Sequence, residues 1–253
     1  MRLKMLAVIP AIVTTVGCMQ AERLIKINGD GSGTIVDTVR LGDQARGMLA
    51  GMEQMDKSSP AEKKAKKDAK LKDAAAKMGP GASFVSSATT PDGGERITWA
   101  FTDITKLKID RSASSGDVDS QSKPGDLLTF RFAKSPGGAT LTVVNPKPDP
   151  GKAKPPSKPG DNAAQTAQLK MMLAGLKMTT AVEVNGTVVK SDSPYVAGPV
   201  VTLMSIDFDQ IDDASFKKLD GLGDPSELDP KTLAGLKGVK MTSGDVAIEF
   251  KPR

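Results

Sequence analysis

The stretch "IKINGDGSGTIV", residues 25–36, decides the fold, because it reads either as a cation loop between helices or as a turn between strands. Asn28, Asp30 and Ser32 alternate as calcium ligands do, and Gly33 stands where such a loop places its turn glycine. In that register the bidentate carboxylate belongs at Val39, which has none. The flanks, "RLIKI" and "TIVDTVRL", read as strands rather than helices. A dinucleotide fingerprint fails as well, since Gly29, Gly31 and Gly33 alternate and Val36 holds the third glycine's place. The expectation is a glycine-rich hairpin with no metal bound.

Further turn signals recur between β-like runs: "PDGG" at 91–94, "SPGG" at 135–138 and "NG" at 185–186. Asn-Gly and Asp-Gly supply the positive φ that tight hairpins require. The runs alternate. Ile97, Trp99 and Phe101 share one face, as do Leu128, Phe130 and Phe132, then Leu141 and Val143. Met204, Ile206 and Phe208 form another such row, and Val246, Ile248 and Phe250 a last one. Period-two rows with polar opposite faces predict antiparallel sheet covered on one side.

Helical patterns interrupt these hairpins. After Asp43, an N-cap candidate, Ala45, Met48, Leu49, Met52 and Met55 recur at helical spacing. Gly47 and Gly51 each cost such a helix about 1 kcal/mol relative to Ala, which predicts close packing on the sheet. "PAEKKAKKDAKLKDAAAKMG" starts at Pro60 and stops before Gly79. Its seven lysines (63, 64, 66, 67, 70, 72 and 77) face only Glu62, Asp68 and Asp73, and its apolar stripe is thin. It reads as a solvated outer helix, with contact to anionic head groups as the functional alternative. A third helix is expected at about 162–177, with Leu169, Met172, Leu173 and Leu176 as its stripe. "DPSE" and "DPKT" open short helical turns. "NPKPDPGKAKPPSKPG" (145–160) reads as a PPII-leaning linker. "LAGLK" occurs at 173 and again at 233, each time running into a strand, which suggests a repeated packing element.

The first residues give the location. Arg2 and Lys4 precede the apolar run "MLAVIPAIVTTV", too short for a permanent membrane span, and "TVGC" follows. This resembles a bacterial lipobox, with Thr15 in place of the usual leucine and Cys18 as the acceptor of the lipid. Residues 1–17 are then a lipoprotein signal peptide. Its removal takes Arg2 and Lys4 from 35 basic side chains, leaving 33 against 30 acidic ones. With one cysteine no intramolecular disulfide forms, so the exported chain relies on its core. One Trp, one Tyr and seven Phe give little stacking surface, so no nucleic-acid partner is expected.

Histidine is absent, which removes Ser-His and Cys-His nucleophilic sites and the common zinc sites. Ser215 and Lys218 in "SFKK" form a Ser-Lys spacing without a partner motif. "DFDQIDD" (207–213) reads as a solvated strand-to-helix junction rather than an acid/base pair. No catalytic residue and no cofactor are expected.

The order of these elements carries a resemblance. A lipobox cysteine, "DGSGT", a helix, "GASFVSS", "GERITWAFTDITKL" and "VEVNGTVV…VVTLMSIDFD" follow one another over residues 20–209. The series resembles the LppM-type domain of bacterial envelope lipoproteins. The resemblance implies an α+β fold with antiparallel sheet, no enzymatic activity and the binding of an envelope lipid or protein. It supplies no catalytic residues. Residues 210–253 lie outside its pattern, and the transmembrane helix usual after the domain is missing from this sequence.

The sequence therefore predicts an α+β protein: an antiparallel sheet of hairpins with helices packed on one face. Residues 18–144 form its β-hairpin and helix part, 145–160 a linker or insertion, and 161–253 the remaining helix and strands with a C-terminal extension. It is expected to be non-enzymatic, held on a membrane through Cys18, and to bind an envelope component. In a cell with an outer membrane, Met19 after the cysteine sorts it there by analogy with the enteric rule; otherwise it sits on the outer face of the plasma membrane. The alternative is a carrier of a lipid or other hydrophobic ligand between the sheet and the Met48/Met52/Met55 stripe.

Overall fold

The computed structural model describes residues 19–43, 46–47, 50–51, 58–110, 127–145, 167, 170–171, 173–220, 233 and 235–253. The chain enters through strands β1 (Met19–Ile27) and β2 (Gly33–Leu41), then helix α1 (Pro60–Met78), β3 (Ala82–Thr89) and β4 (Glu95–Phe101). It continues with β5 (Ile109–Asp110), β6 (Leu127–Ser135), β7 (Gly138–Val144), β8 (Lys177–Val184), β9 (Gly186–Ser191) and β10 (Val196–Ala197). β11 (Val200–Asp207), helix α2 (Asp213–Asp220), β12 (Val239–Met241) and β13 (Val246–Pro252) complete it.

The strands form two sheets. One has the order β10-β11-β8-β1-β2-β4-β3, with β12 following β10 along the same edge of β11; the second is β5-β6-β7-β13-β9. All pairings are antiparallel except β1 with β8, which run parallel from Gln20–Lys177 to Ile27–Val184. The α+β class holds, but the apolar face of the first sheet is covered mainly by the second sheet. Ile25, Ile35, Trp99 and Val182 from one sheet share a core with Phe130, Leu141, Ile248 and Phe250 from the other. The alternating rows read from the sequence are these core rows except one: Met204, Ile206 and Phe208 enter a separate cluster, and β11 gives the shared core Val201 and Leu203 instead. Helix α1 contributes Leu71 and Ala75 to the same cluster. Its start is set by a capping box, in which Ser59 accepts from the Glu62 amide and Glu62 from the Ser59 amide.

Across β1 and β2 the core row contains an ion pair. Arg23 and Asp37 are register partners, with Nε donating to Oδ1 at 2.7 Å and Nη2 to Oδ2 at 2.5 Å. They are 8% and 1% exposed. Charges removed from water to this degree are tolerated only when each is answered in good geometry, which the bidentate fork provides.

A second, smaller cluster gathers at the C-terminal end of β11, built from Ile206, Phe208, Phe216, Val239 and Met241. Here the "LAGLK" echo becomes structural. Leu176 N donates to Leu173 O and Leu236 N to Leu233 O, both at 3.0 Å, and all four leucines pack in this cluster. The strands that follow, β8 and β12, flank β11 on its two sides, with Met178 and Val239 both registered on Ile206. The two copies are one packing element used twice.

Three expectations change. "NG" at 185–186 is not a hairpin: β8 belongs to the first sheet and β9 to the second, so the chain turns a corner between sheets there. Gly186 is needed for close approach, since a Cβ would lie 2.1 Å from the Lys251 carbonyl oxygen. Gly47 and Gly51 do not pack on the sheet; both are exposed and a Cβ on either would meet nothing within 4 Å. The expected helix reaching 177 is over by Leu176, because Lys177 already pairs with Asp207 and Gln20 as the first residue of β8. Strands before the proline-rich stretch pair with strands after it in both sheets, β1 with β8 and β7 with β13. Cys18, Met48, Met52, Met55, "DPSE", "DPKT" and residues 146–160 lie outside the described residues. Among those described, no helix is long and apolar enough to cross a membrane.

Candidate functional site

The opening stretch forms one rim of a groove. Residues 28–32 close the β1–β2 hairpin, with Asn28 N donating to Ser32 O at 2.9 Å and Gly31 N to Asn28 O at 3.1 Å. Gly31 takes φ +90, the left-handed conformation this loop needs. The polar side chains of the loop bond each other and the adjacent strand end. Asp30 Oδ1 accepts from Ser32 N at 2.9 Å and Ser32 Oγ at 2.6 Å. Asn28 Nδ2 donates to Ser32 Oγ, and Asn185 Nδ2 to Asn28 Oδ1, each at 3.1 Å. The Ser32 bonds hold the Asp30 carboxyl below its ordinary range.

The loop therefore ties the first hairpin to the intersheet corner, and the two enclose a groove of about 350 Å³. Its apolar lining is Phe101, Val184 and Pro199, and its polar lining is Lys26, Glu183, Asn28, Asn185, Ser32, Thr34 and Arg253. Lys26 Nζ stands 3.1 Å from Glu183 Oε2, with their side chains 47% and 32% exposed. Arg253 N donates to Asn185 O at 3.2 Å, and Asn185 N to Ile27 O at 2.8 Å. Two cations, one carboxylate, two primary amides and two hydroxyls beside three apolar side chains suit a polar ligand held by several hydrogen bonds.

Other sequence candidates resolve into structural roles. Ser215 is buried, and its amide is capped by Asp212 Oδ1 at 2.9 Å. Asp207 Oδ2 lies 3.4 Å from Lys177 and accepts from Gln210. Asp209 accepts from the Gly175 amide at 2.7 Å, and Asp213 pairs with Lys170. The carboxylates of the junction bind nearby backbone amides and lysines. Sequence reasoning passed over Lys26, Glu183, Asn185 and Arg253. The available signal was that "NGDGSG" and "NG" are both polar corners, and β1 and β8 end beside each other at Ile27 and Val184.

No family model and no curated protein sequence matches the chain. Among solved structures it is similar to the NMR structure of the Mycobacterium tuberculosis LppM folded domain. That comparison covers 96% of this chain and 94% of the other, at 9% identity and a TM-score of 0.32. A superposition this loose decides nothing about fold or function here.

Proposed function

We propose that the protein is a non-enzymatic lipoprotein of the cell envelope, anchored through an acylated Cys18, that binds a polar envelope component in the groove beside Asn28 and Asn185. The observation that carries the reading is the placement of the groove. β1 begins at Met19, next to the lipobox cysteine, and runs about 25 Å from there to Lys26 and Ile27. An anchor at one end of this strand holds the groove at the other end, facing away from the bilayer. Acyl chains, at about 0.8 kcal/mol per buried CH₂, give firm attachment. The non-enzymatic part rests on the missing histidine and on the structural roles of the Ser215 and Asp207–Asp213 candidates.

The anchor is tested by metabolic labelling with a palmitate analogue: the wild-type chain takes up label and Cys18→Ala does not. Equal labelling of both sinks the anchor. For the groove, a photo-crosslinking residue at Thr34 is expected to capture an envelope component in intact cells, and Asn185→Trp on the same chain to abolish the adduct. Adducts of equal yield with and without Asn185→Trp would remove the groove from the proposal.

A further inference from the structure

Helix α1 and the start of β1 meet at one end of the molecule. At that end Met19 pairs with Leu41, Val39 with Glu95, and Glu95 with Thr89, so the edge of the first sheet is level with the residue that follows Cys18. α1 runs away from it. The Met78 carbonyl accepts from Lys108 at 2.7 Å and the Gly79 carbonyl from Ala82, at the far end of the sheet where Ala82 pairs with Phe101. Lys67 Nζ meets Glu95 Oε1 at 2.6 Å. From Lys67 to Met78 the helix covers about 16 Å, and from Glu95 to Phe101 the strand covers about 20 Å, so the two lie side by side. From Pro60 to Met78 the helix covers about 27 Å, so its first turns project about 7 Å past the Glu95 row.

That projection is basic. Lys63, Lys64, Lys66, Lys67 and Lys70 face Glu62 and Asp68 within the first eleven helical residues. All of these lysines except the half-buried Lys63 are exposed. The opposite edge of the same end, where β12 flanks β11, carries Asp207, Asp209, Asp212 and Asp213 against Lys170, Lys177, Lys237 and Lys240, so its charges balance. Resting on the reading of Cys18 as acylated, we propose that the first half of α1 sits on anionic phospholipid head groups beside the anchor and tilts the molecule so that its β3–α1 edge faces the bilayer. A tether at Cys18 keeps these lysines near the head-group layer, where screening over about 8 Å still leaves them attracted. The balanced edge after β11 is not drawn to the same surface, and this difference between the two edges fixes the direction of tilt.

The test uses the acylated full chain, purified from membranes and placed in phosphatidylcholine vesicles with or without phosphatidylglycerol. A fluorescent donor goes on one introduced thiol at a time, Ala65→Cys, Ala214→Cys or Ala133→Cys, all exposed positions. Acceptors are carried by head groups. Transfer from position 65 is expected to rise several-fold with phosphatidylglycerol and to return to the phosphatidylcholine level at high salt or in Lys63→Gln/Lys64→Gln/Lys66→Gln. Position 214 should stay flat or fall, and position 133, at the far end, should remain low. Equal transfer from position 65 on both vesicles, or equal rises at 65 and 214, overturns the proposal. Failure of the anchor reads differently: two donors per chain, because Cys18 is then a free thiol, and loss of the protein from phosphatidylcholine vesicles.

Discussion

Arg23 and Asp37 hold opposite charges in a row otherwise made of Ile25, Ile27, Ile35 and Ile97. Removing one member leaves the other charged and buried, at a cost of about 3–5 kcal/mol, whereas replacing both by apolar side chains of similar volume is close to neutral. Asp37→Ala is therefore expected to lower the urea midpoint far more than Arg23→Met/Asp37→Leu; equal losses would refute this assignment. The pair was within reach of the sequence. With Asp30 at the centre of the loop, 23 must face 37, and both fall on the core side of their strands. The exposed carboxylates act differently. Asp30, Asp92, Asp103 and Glu62 accept bonds from Ser32, Thr90, Thr105 and Ser59, which lower each below its ordinary value of 3.8, or 4.5 for Glu62. A group depressed on folding stabilises above its unfolded value and loses that contribution as pH falls through the folded one. The urea midpoint should thus be level above about pH 5 with respect to these groups and decline below pH 4, and Asp30→Asn should flatten part of that decline.

Among the elements, hairpins were the most legible, because Gly and Asp fix local geometry whatever lies beyond. The loops at 28–32 and 90–94 make the same bonds, Thr90 N to Gly94 O at 3.0 Å and Gly93 N to Thr90 O at 2.9 Å repeating the first loop. The "NG" corner was illegible for a different reason. Which sheet a strand joins depends on partners sixty residues away, and the two glycine uses, positive φ and close approach, look alike in a sequence. The glycines therefore separate by experiment. Gly186→Ala drives a methyl into the Lys251 carbonyl and is expected to destabilise strongly. Gly47→Ala and Gly51→Ala, helical and with open space around them, should each stabilise by up to about 1 kcal/mol. A loss at 47 or 51, measured by thermal melting, would restore the close packing that the sequence suggested. At the head of α1, Ser59→Ala should cost about 1 kcal/mol, read in the same melt.

For the whole molecule, the sequence conveyed the class and the rows that make the core, but not that two sheets share it. Period-two patterns say that a face is covered without saying by what. Nor could composition tell whether residues 145–160 separate two domains, a question that register answers. Because β1 pairs with β8 and β7 with β13, a protease site engineered into 146–160 should yield two fragments that elute together under native conditions and separate in urea. Fragments that part without denaturant would contradict the shared core. The groove was half legible: its corners were quoted from the start, and its charges came from strand ends whose adjacency only the fold creates. β13 has one further consequence. It lies between β7 and β9, and Phe250 fills the core beside Phe132 with ring centroids 6.4 Å apart. The strand that joins β9 to the rest of the second sheet is thus made after every other described strand. While the ribosome is still at work, β9 has no neighbour in its sheet, and β1 waits for β8 far downstream. A chain built this way stays open during synthesis, which is the state in which a polypeptide can be threaded through a translocation pore.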